Sequence, residues 1–332
     1  MTDRGSLVAS RYGEVFFGPP DSMTFQARMP GSWTASRFQH PLIGRALRSD
    51  RCVVAPMAGG ALLAVHWGQV SVLRDGIWRL LGDLEGRAPL HSRLARDREG
   101  WVYIPEWWAN RARGEVRLWR VDPEATTMEI AHVWPPGGVR HLHSVVADPY
   151  DEGVLWATSG DEDGECYLWR SVDRFQTVER WGDGTQNSRA VFLWFTPERV
   201  GWLTDTERTH NHTCWMTRST GDLCVGQSLP GPIWHGTGLR DGGWIATTTV
   251  EKGPGVKDRH SRVLGSMCGE VWTEHASWRK DLWRPHRVFG HGILGLPAGE
   301  QSSGRVWMDA SGLSGRAGVF SMNFNQVALM NP

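Results

Sequence analysis

The sequence predicts an all-β fold, a β-propeller of six or seven four-stranded blades, on three observations. A hairpin-length motif recurs along its 332 residues. Glycine (40) and tryptophan (20) are both abundant, as expected where many tight turns join strands and large rings fill the gaps between sheets. No long window keeps a 3.6-residue apolar period, because glycine or proline interrupts most of them.

Five segments carry the motif: HSRLARDREGWVYIPE (91–106), HSVVADPYDEGVLWATSGD (143–161), RAVFLWFTPERVGWLTD (189–205), HGTGLRDGGWIATTTVE (235–251) and HGILGLPAGEQSSGRVWMD (291–309). Each opens on His or Arg and runs through a short apolar strand into a turn. A second strand follows, holding Trp101, Trp156, Trp202, Trp244 or Trp307. Each closes on an acid: Glu106, Asp161, Asp205, Glu251 or Asp309. RCVVAPMAGGALLAVH (51–66) is an earlier copy ending on His66. Third strands are expected around Trp119, Trp169, Trp215 and Trp272, and outer strands at MEIAHVW and QTVERW.

The period from Arg51 to His291 averages 48 residues, so the chain accommodates about seven such units. The segments LVAS, EVFFGP and TFQARMP supply N-terminal strands. The expectation is one domain over residues 1–332, its ring closed by N- and C-terminal strands, since closure removes two exposed sheet edges.

In a propeller blade the start of the first strand and the end of the second lie on one face. The motif therefore places Arg51, His91, His143, Arg189, His235 and His291 around one mouth of the central channel. His66, Glu106, Asp161, Asp205, Glu251 and Asp309 are expected to surround them on the same face. Such a ring is a concave polar site suited to a small ligand. Arg51, His91, Arg140, Arg189, His235 and His291 are the candidate substrate-binding groups. Trp107, Trp108 and Asn110 join them from the loop EWWANRARGEVRLWR, where at least one of two adjacent indoles is expected to be exposed as a stacking surface. In VRHLHS, His141 and His143 point to the same side of a strand and can bind a metal or share a proton. The candidate catalytic residues are His141, His143, Glu106, Asp161, Asp205 and Glu251. His91, His143, His235 and His291 are the candidate ligands of a divalent metal ion, the cofactor these residue types suggest, with carboxylates orienting them.

Lysine plus arginine and aspartate plus glutamate are 36 each, which gives no bias toward nucleic acid or a membrane surface. MTDRGSLVAS lacks the basic and apolar regions of a signal peptide. The five cysteines have no metal-type spacing and read as free thiols. The expected compartment is the cytoplasm, and the expected partner is a small molecule or an oligosaccharide.

The stretch from RHLHSVVADPY to GWLTDT resembles bacterial sialidase-like propellers of the Asp-box (BNR repeat) class. SVDRFQT (171–177) looks like an Asp-box, with Ser171, Asp173 and Thr177 in place but no intervening glycine. The likeness is best over residues 100–220. It implies six blades and fixes activity only loosely, since such propellers include glycosidases, lyases and non-catalytic binders, and it does not extend to sialidase chemistry: the ring is mostly histidine, and no tyrosine occupies a predicted ring position.

Three functions follow. The first is a carbohydrate-active enzyme, a glycoside hydrolase or a uronate lyase, acting on an anionic sugar at the central mouth. The second is a non-catalytic glycan-binding or scaffold propeller. The third is a metal-dependent enzyme using the channel histidines on a non-sugar substrate.

Overall fold

The structure, a computed structural model, describes residues 6–11, 13–29, 52–86, 94–283 and 290–324. Among them 26 strands form seven antiparallel sheets, each a meander in chain order. The first sheet is β1 (Leu7–Arg11), β2 (Glu14–Gly18) and β3 (Thr24–Arg28). The second is β4 (Cys52–Pro56), β5 (Leu62–His66), β6 (Gln69–Arg74) and β7 (Ile77–Asp83). The third is β8 (Ala95–Arg96), β9 (Val102–Pro105), β10 (Val116–Val121) and β11 (Met128–Trp134). The fourth is β12 (Leu142–Ala147), β13 (Leu155–Ser159), β14 (Cys166–Ser171) and β15 (Glu179–Gly184). The fifth is β16 (Ala190–Phe195), β17 (Arg199–Thr204), β18 (Asn211–Thr217) and β19 (Leu223–Leu229). The sixth is β20 (Ile233–Gly238), β21 (Trp244–Thr248), β22 (His260–Ser266) and β23 (Thr273–Arg279). The seventh is β24 (Ile293–Gly295), β25 (Val306–Leu313) and β26 (Arg316–Met322). This is the seven-bladed β-propeller that the repeat spacing favours, not the six blades that the sialidase resemblance implies.

Burial follows position in the sheet. β16, AVFLWF, is buried at every residue, whereas β19, the last strand of the same sheet, is mostly exposed or half-buried. A strand covered on both faces reads as a continuous apolar run, and one covered on a single face alternates. The chain divides into two compact units: Met1–Ser159 with Trp169–Glu179, and Gly160–Leu168 with Arg180–Pro332. The first has a core of Val53, Leu63, Val65, Val102, Ile104 and Val121, and another around Tyr103, Leu118, Trp134, Leu142, Val145 and Phe175. The second is built on Phe192, Trp194, Leu203, Ile233 and Leu264, and on Ile245, Val263, Leu294, Val306 and Met308.

Aspartate-anchored turns leave β10 and β14. Asp122 accepts from Thr126 N at 2.9 Å and from Thr126 Oγ1 at 2.8 Å, and also takes the amide and hydroxyl of Thr127. Asp173 accepts from Thr177 N at 2.9 Å and Thr177 Oγ1 at 2.6 Å, while Ser171 Oγ accepts from Phe175 N at 2.7 Å. In both turns the carboxylate satisfies backbone groups that the sheet has released.

Three expectations are corrected. Trp272 is not in a third strand: it precedes β23, and the third strand is β22. Asp309 does not end a second strand, because β25 continues to Leu313; Asp309 is exposed in mid-strand, opposite Gly295 and Val319. His235 lies inside β20 opposite Thr247, not at its start. The first and last sheets include three strands among the described residues. The C-terminal segment expected to close the ring, residues 325–332, lies outside the described residues.

Candidate functional site

Glu106 follows β9 directly and is wholly buried. Its carbonyl accepts from Leu142 N at 3.0 Å, tying the end of β9 to the start of β12. Its Oε1 accepts from Glu85 N at 3.1 Å, Gly86 N at 3.4 Å and Trp119 Nε1 at 2.9 Å, and its Oε2 from Arg117 N at 3.1 Å. With four donors on one carboxylate, Glu106 is a structural acceptor and not the expected catalytic acid.

The loop after Glu106 is a cradle for the start of β12. Asn110 donates to Gly114 O at 3.0 Å and Arg140 O at 2.8 Å, and accepts from Gly114 N at 2.8 Å. Arg140 Nε donates to Ala109 O at 2.8 Å. Asn110 is therefore a loop strut, not a ligand contact, and Arg140 has committed one donor to the same strut. Neither Trp107 nor Trp108 is exposed. Both are half-buried, and Trp108 packs against the core around Tyr103 and Leu118. Adjacent indoles fit here because Gly86 leaves room: a Cβ there would meet Trp108 Cε3 at 2.8 Å.

His141 and His143 are 1% and 2% exposed. Their Nε2 atoms lie 3.0 Å apart, and the ring of Trp107 lies 5.4 Å from that of His141. His141 Nδ1 is 2.8 Å from Trp108 O. A carbonyl only accepts, so His141 carries its proton on Nδ1 and turns the Nε2 lone pair toward His143. A backbone carbonyl on the remote nitrogen is how a metal-binding imidazole is oriented. The separation also suits two nitrogens sharing one ion at the usual distance of about 2.1 Å. The pair fits a divalent cation.

In the second unit, Arg189 is 6% exposed and opposes a group of carboxylates. Its Nη2 lies 2.9 Å from Asp161 Oδ1 and 3.8 Å from Asp205 Oδ2, and its Nη1 lies 2.8 Å from Glu207 Oε2. Gln186 Oε1 is 3.5 Å from Nη1. Burial pulls the guanidinium pKa down, but Asp205, Asp161, Glu207 and Glu251 outweigh it and hold it above the usual range. Burial raises Asp205 to about 7, against the lowering effect of Arg189. Glu251 is raised well above the usual carboxylate range by burial and by Asp205. Its Oε1 is shielded from solvent and has no hydrogen-bond partner among the described residues.

Arg189, expected to bind substrate, and Asp161 and Asp205, expected to be catalytic, come together in one ion cluster. Both Nη groups of Arg189 are engaged by carboxylates, while its Nε, shielded from solvent, has no hydrogen-bond partner among the described residues, so the cluster holds Arg189 mainly as a counter-charge. Asp205 Oδ1 also accepts from Trp234 Nε1 at 2.9 Å, and the Trp234 ring stands edge-on to His291 at 5.3 Å. His235 is buried and His291 half-buried. Of the four expected metal-binding histidines, His143 pairs with His141, His235 and His291 belong to the second unit, and His91 lies outside the described residues, as does Arg51. Glu207, Gln186 and Trp234 were not among the sequence candidates. Glu207 carries a usable signal, since it stands two residues beyond the acid that closes its repeat.

No family model and no curated protein matches the chain. Solved structures do. Virginiamycin B lyase from Staphylococcus aureus superposes with a TM-score of 0.59 at 9% identity, covering 93% of this chain and 89% of that one. An oligogalacturonate lyase in complex with manganese gives 0.59 at 11% identity, covering 98% and 87%. A chain of the mitotic checkpoint complex gives 0.60 at 11% identity, covering 96% and 86%. Two lyases and a checkpoint assembly share this architecture, and at such identities the likeness establishes the β-propeller fold alone.

Proposed function

We propose that the chain is a metal-dependent lyase acting on an acidic sugar, with His141 and His143 holding the cation. The observation that carries this reading is the 3.0 Å approach of two buried Nε2 atoms, with His141 oriented from behind by Trp108 O. The manganese-bound oligogalacturonate lyase among the structural neighbours supports it. A bound divalent ion would neutralise the substrate carboxylate and so acidify the neighbouring C–H. In the elimination a base removes that proton, its electron pair becomes the new C=C bond, and the glycosidic oxygen leaves and is protonated.

The chain's own residues do the positioning. Trp108 O fixes the His141 tautomer, and the half-buried Trp107 ring beside it offers a face for a sugar ring. The hydrolase alternative is disfavoured, because two free carboxylates are needed and, with Glu106 holding all its donors and Asp161 and Asp205 facing Arg189, Glu251 is the one candidate acid left with an oxygen lacking a partner among the described residues. The likeness to Asp-box propellers rests on the Ser171–Asp173–Thr177 turn and supports a carbohydrate ligand only as an analogy.

The test is incubation with oligogalacturonate and Mn²⁺, following the ultraviolet absorbance of the unsaturated product. The expected result is turnover that a chelator abolishes and Mn²⁺ restores. Absence of product across acidic oligosaccharides overturns the lyase reading.

A further inference from the structure

A cleft of about 650 Å³ opens in the second unit, lined by Glu162, Asp163, Thr185, Gln186, Asn187, Arg208 and Thr209. We propose that it binds the hydroxyl-bearing edge of an uncharged sugar. The assignment to a sugar rests on the carbohydrate reading above; the hydroxyl chemistry does not.

The lining has no aromatic or aliphatic side chain. It mixes carboxylates, carboxamides, hydroxyls and one guanidinium. Adjacent hydroxyls that both donate and accept match such a wall better than a ligand of one sign. Charge argues the same way. Glu162 and Asp163 repel an anion, while Arg208 repels a cation and is already held by Glu162, with Nη2 at 2.6 Å from Oε1 and Nη1 on Oε2.

The floor is pre-organised. Gln186, 8% exposed, donates to Asp161 O at 3.1 Å, and its Oε1 accepts from Thr206 Oγ1 at 2.7 Å. Its own amide donates to Asp163 Oδ1 at 3.1 Å. Thr185 is committed to Asp183, at 2.9 Å. By contrast, the Asn187 carboxamide and the Thr209 hydroxyl make no hydrogen bond among the described residues, although Asn187 is held through its carbonyl by Trp202 Nε1 at 2.6 Å. The rigid floor is pre-organised by its own hydrogen bonds, and the two uncommitted polar groups above it supply the hydrogen-bonding capacity for a ligand.

Saturation-transfer NMR with methyl galactoside, methyl glucoside, methyl glucosaminide and methyl galacturonide tests this on the full chain. The expected result is transfer to a neutral glycoside, with affinity reduced about three- to tenfold by Asn187→Ala and by Thr209→Val. Neither side chain supports the fold through a hydrogen bond, so both variants should keep the parental melting temperature. Neutral binding that both variants leave unchanged overturns the site, as does the absence of neutral binding. Loss of galacturonide or glucosaminide transfer in Asn187→Ala and Thr209→Val, with neutral binding left unchanged, overturns the assignment to an uncharged ligand. Neutral binding without turnover of oligogalacturonate upholds the cleft and sinks the lyase reading alone.

Discussion

Asp205 accepts a hydrogen bond from the indole of Trp234 at 2.9 Å while its other oxygen lies 3.8 Å from the guanidinium of Arg189. One buried acid thus joins the end of β17 to the start of β20 and to Arg189. With Asp161, Glu207 and Glu251 acting on the same Arg189, a fully ionised cluster would bury several uncompensated negative charges. Retained protons relieve that cost.

The cluster makes stability pH-dependent. Folding raises Asp205 from 3.8 to about 7, so the folded state holds a proton that the unfolded state releases. The associated stabilisation is complete below pH 3.8 and is lost as pH rises through about 7; Glu251 acts in the same direction. Urea unfolding should show a loss of about 4 kcal/mol across that window, most of which Asp205→Asn removes. The same slope in the variant would show that Asp205 does not hold the proton.

Arg189 should behave as a structural cation. Arg189→Met leaves Asp161, Asp205 and Glu207 facing one another without a counter-charge, and should cost about 3–5 kcal/mol. Thermal melting reads this directly. A melting temperature within a degree or two of the parent would return Arg189 to the list of ligand-binding groups.

The five thiols should separate by reactivity. Cys268 is exposed, while burial raises Cys52, Cys166 and Cys214 to about 12. Maleimide labelling near neutral pH should modify Cys268 first and leave Cys52, Cys166 and Cys214 untouched until the chain unfolds, with mass spectrometry locating the label. Early labelling of Cys166, whose Sγ donates to Glu162 O at 3.2 Å, would mean that the loop after β13 opens.

The hairpins were legible because apolar runs such as AVFLWF and turns such as PERVG are local signals, and because each tryptophan falls at a fixed point in its repeat. The pairing of Arg189 with Asp205 was legible for the same reason: both bound one hairpin. What the repeat could not show is how many acids one cation serves. Glu207 reaches Arg189 from a loop whose path is set by tertiary packing, and Glu251 acts on it electrostatically without an ion pair among the described residues. Glu106 had the motif position of a site acid, yet its role is decided by donors from Glu85, Gly86, Arg117 and Trp119. Trp272 misled because a tryptophan marks third strands elsewhere, while β22 uses Val263 and Leu264 in its core.

The most direct test of the central claim is Mn²⁺ binding followed by electron paramagnetic resonance on the parent, His141→Ala and His143→Ala. The account predicts saturable binding at one site in the parent and a loss of at least tenfold in affinity in each variant, both variants remaining folded. Binding of equal affinity in all three proteins, or none in the parent, would contradict it.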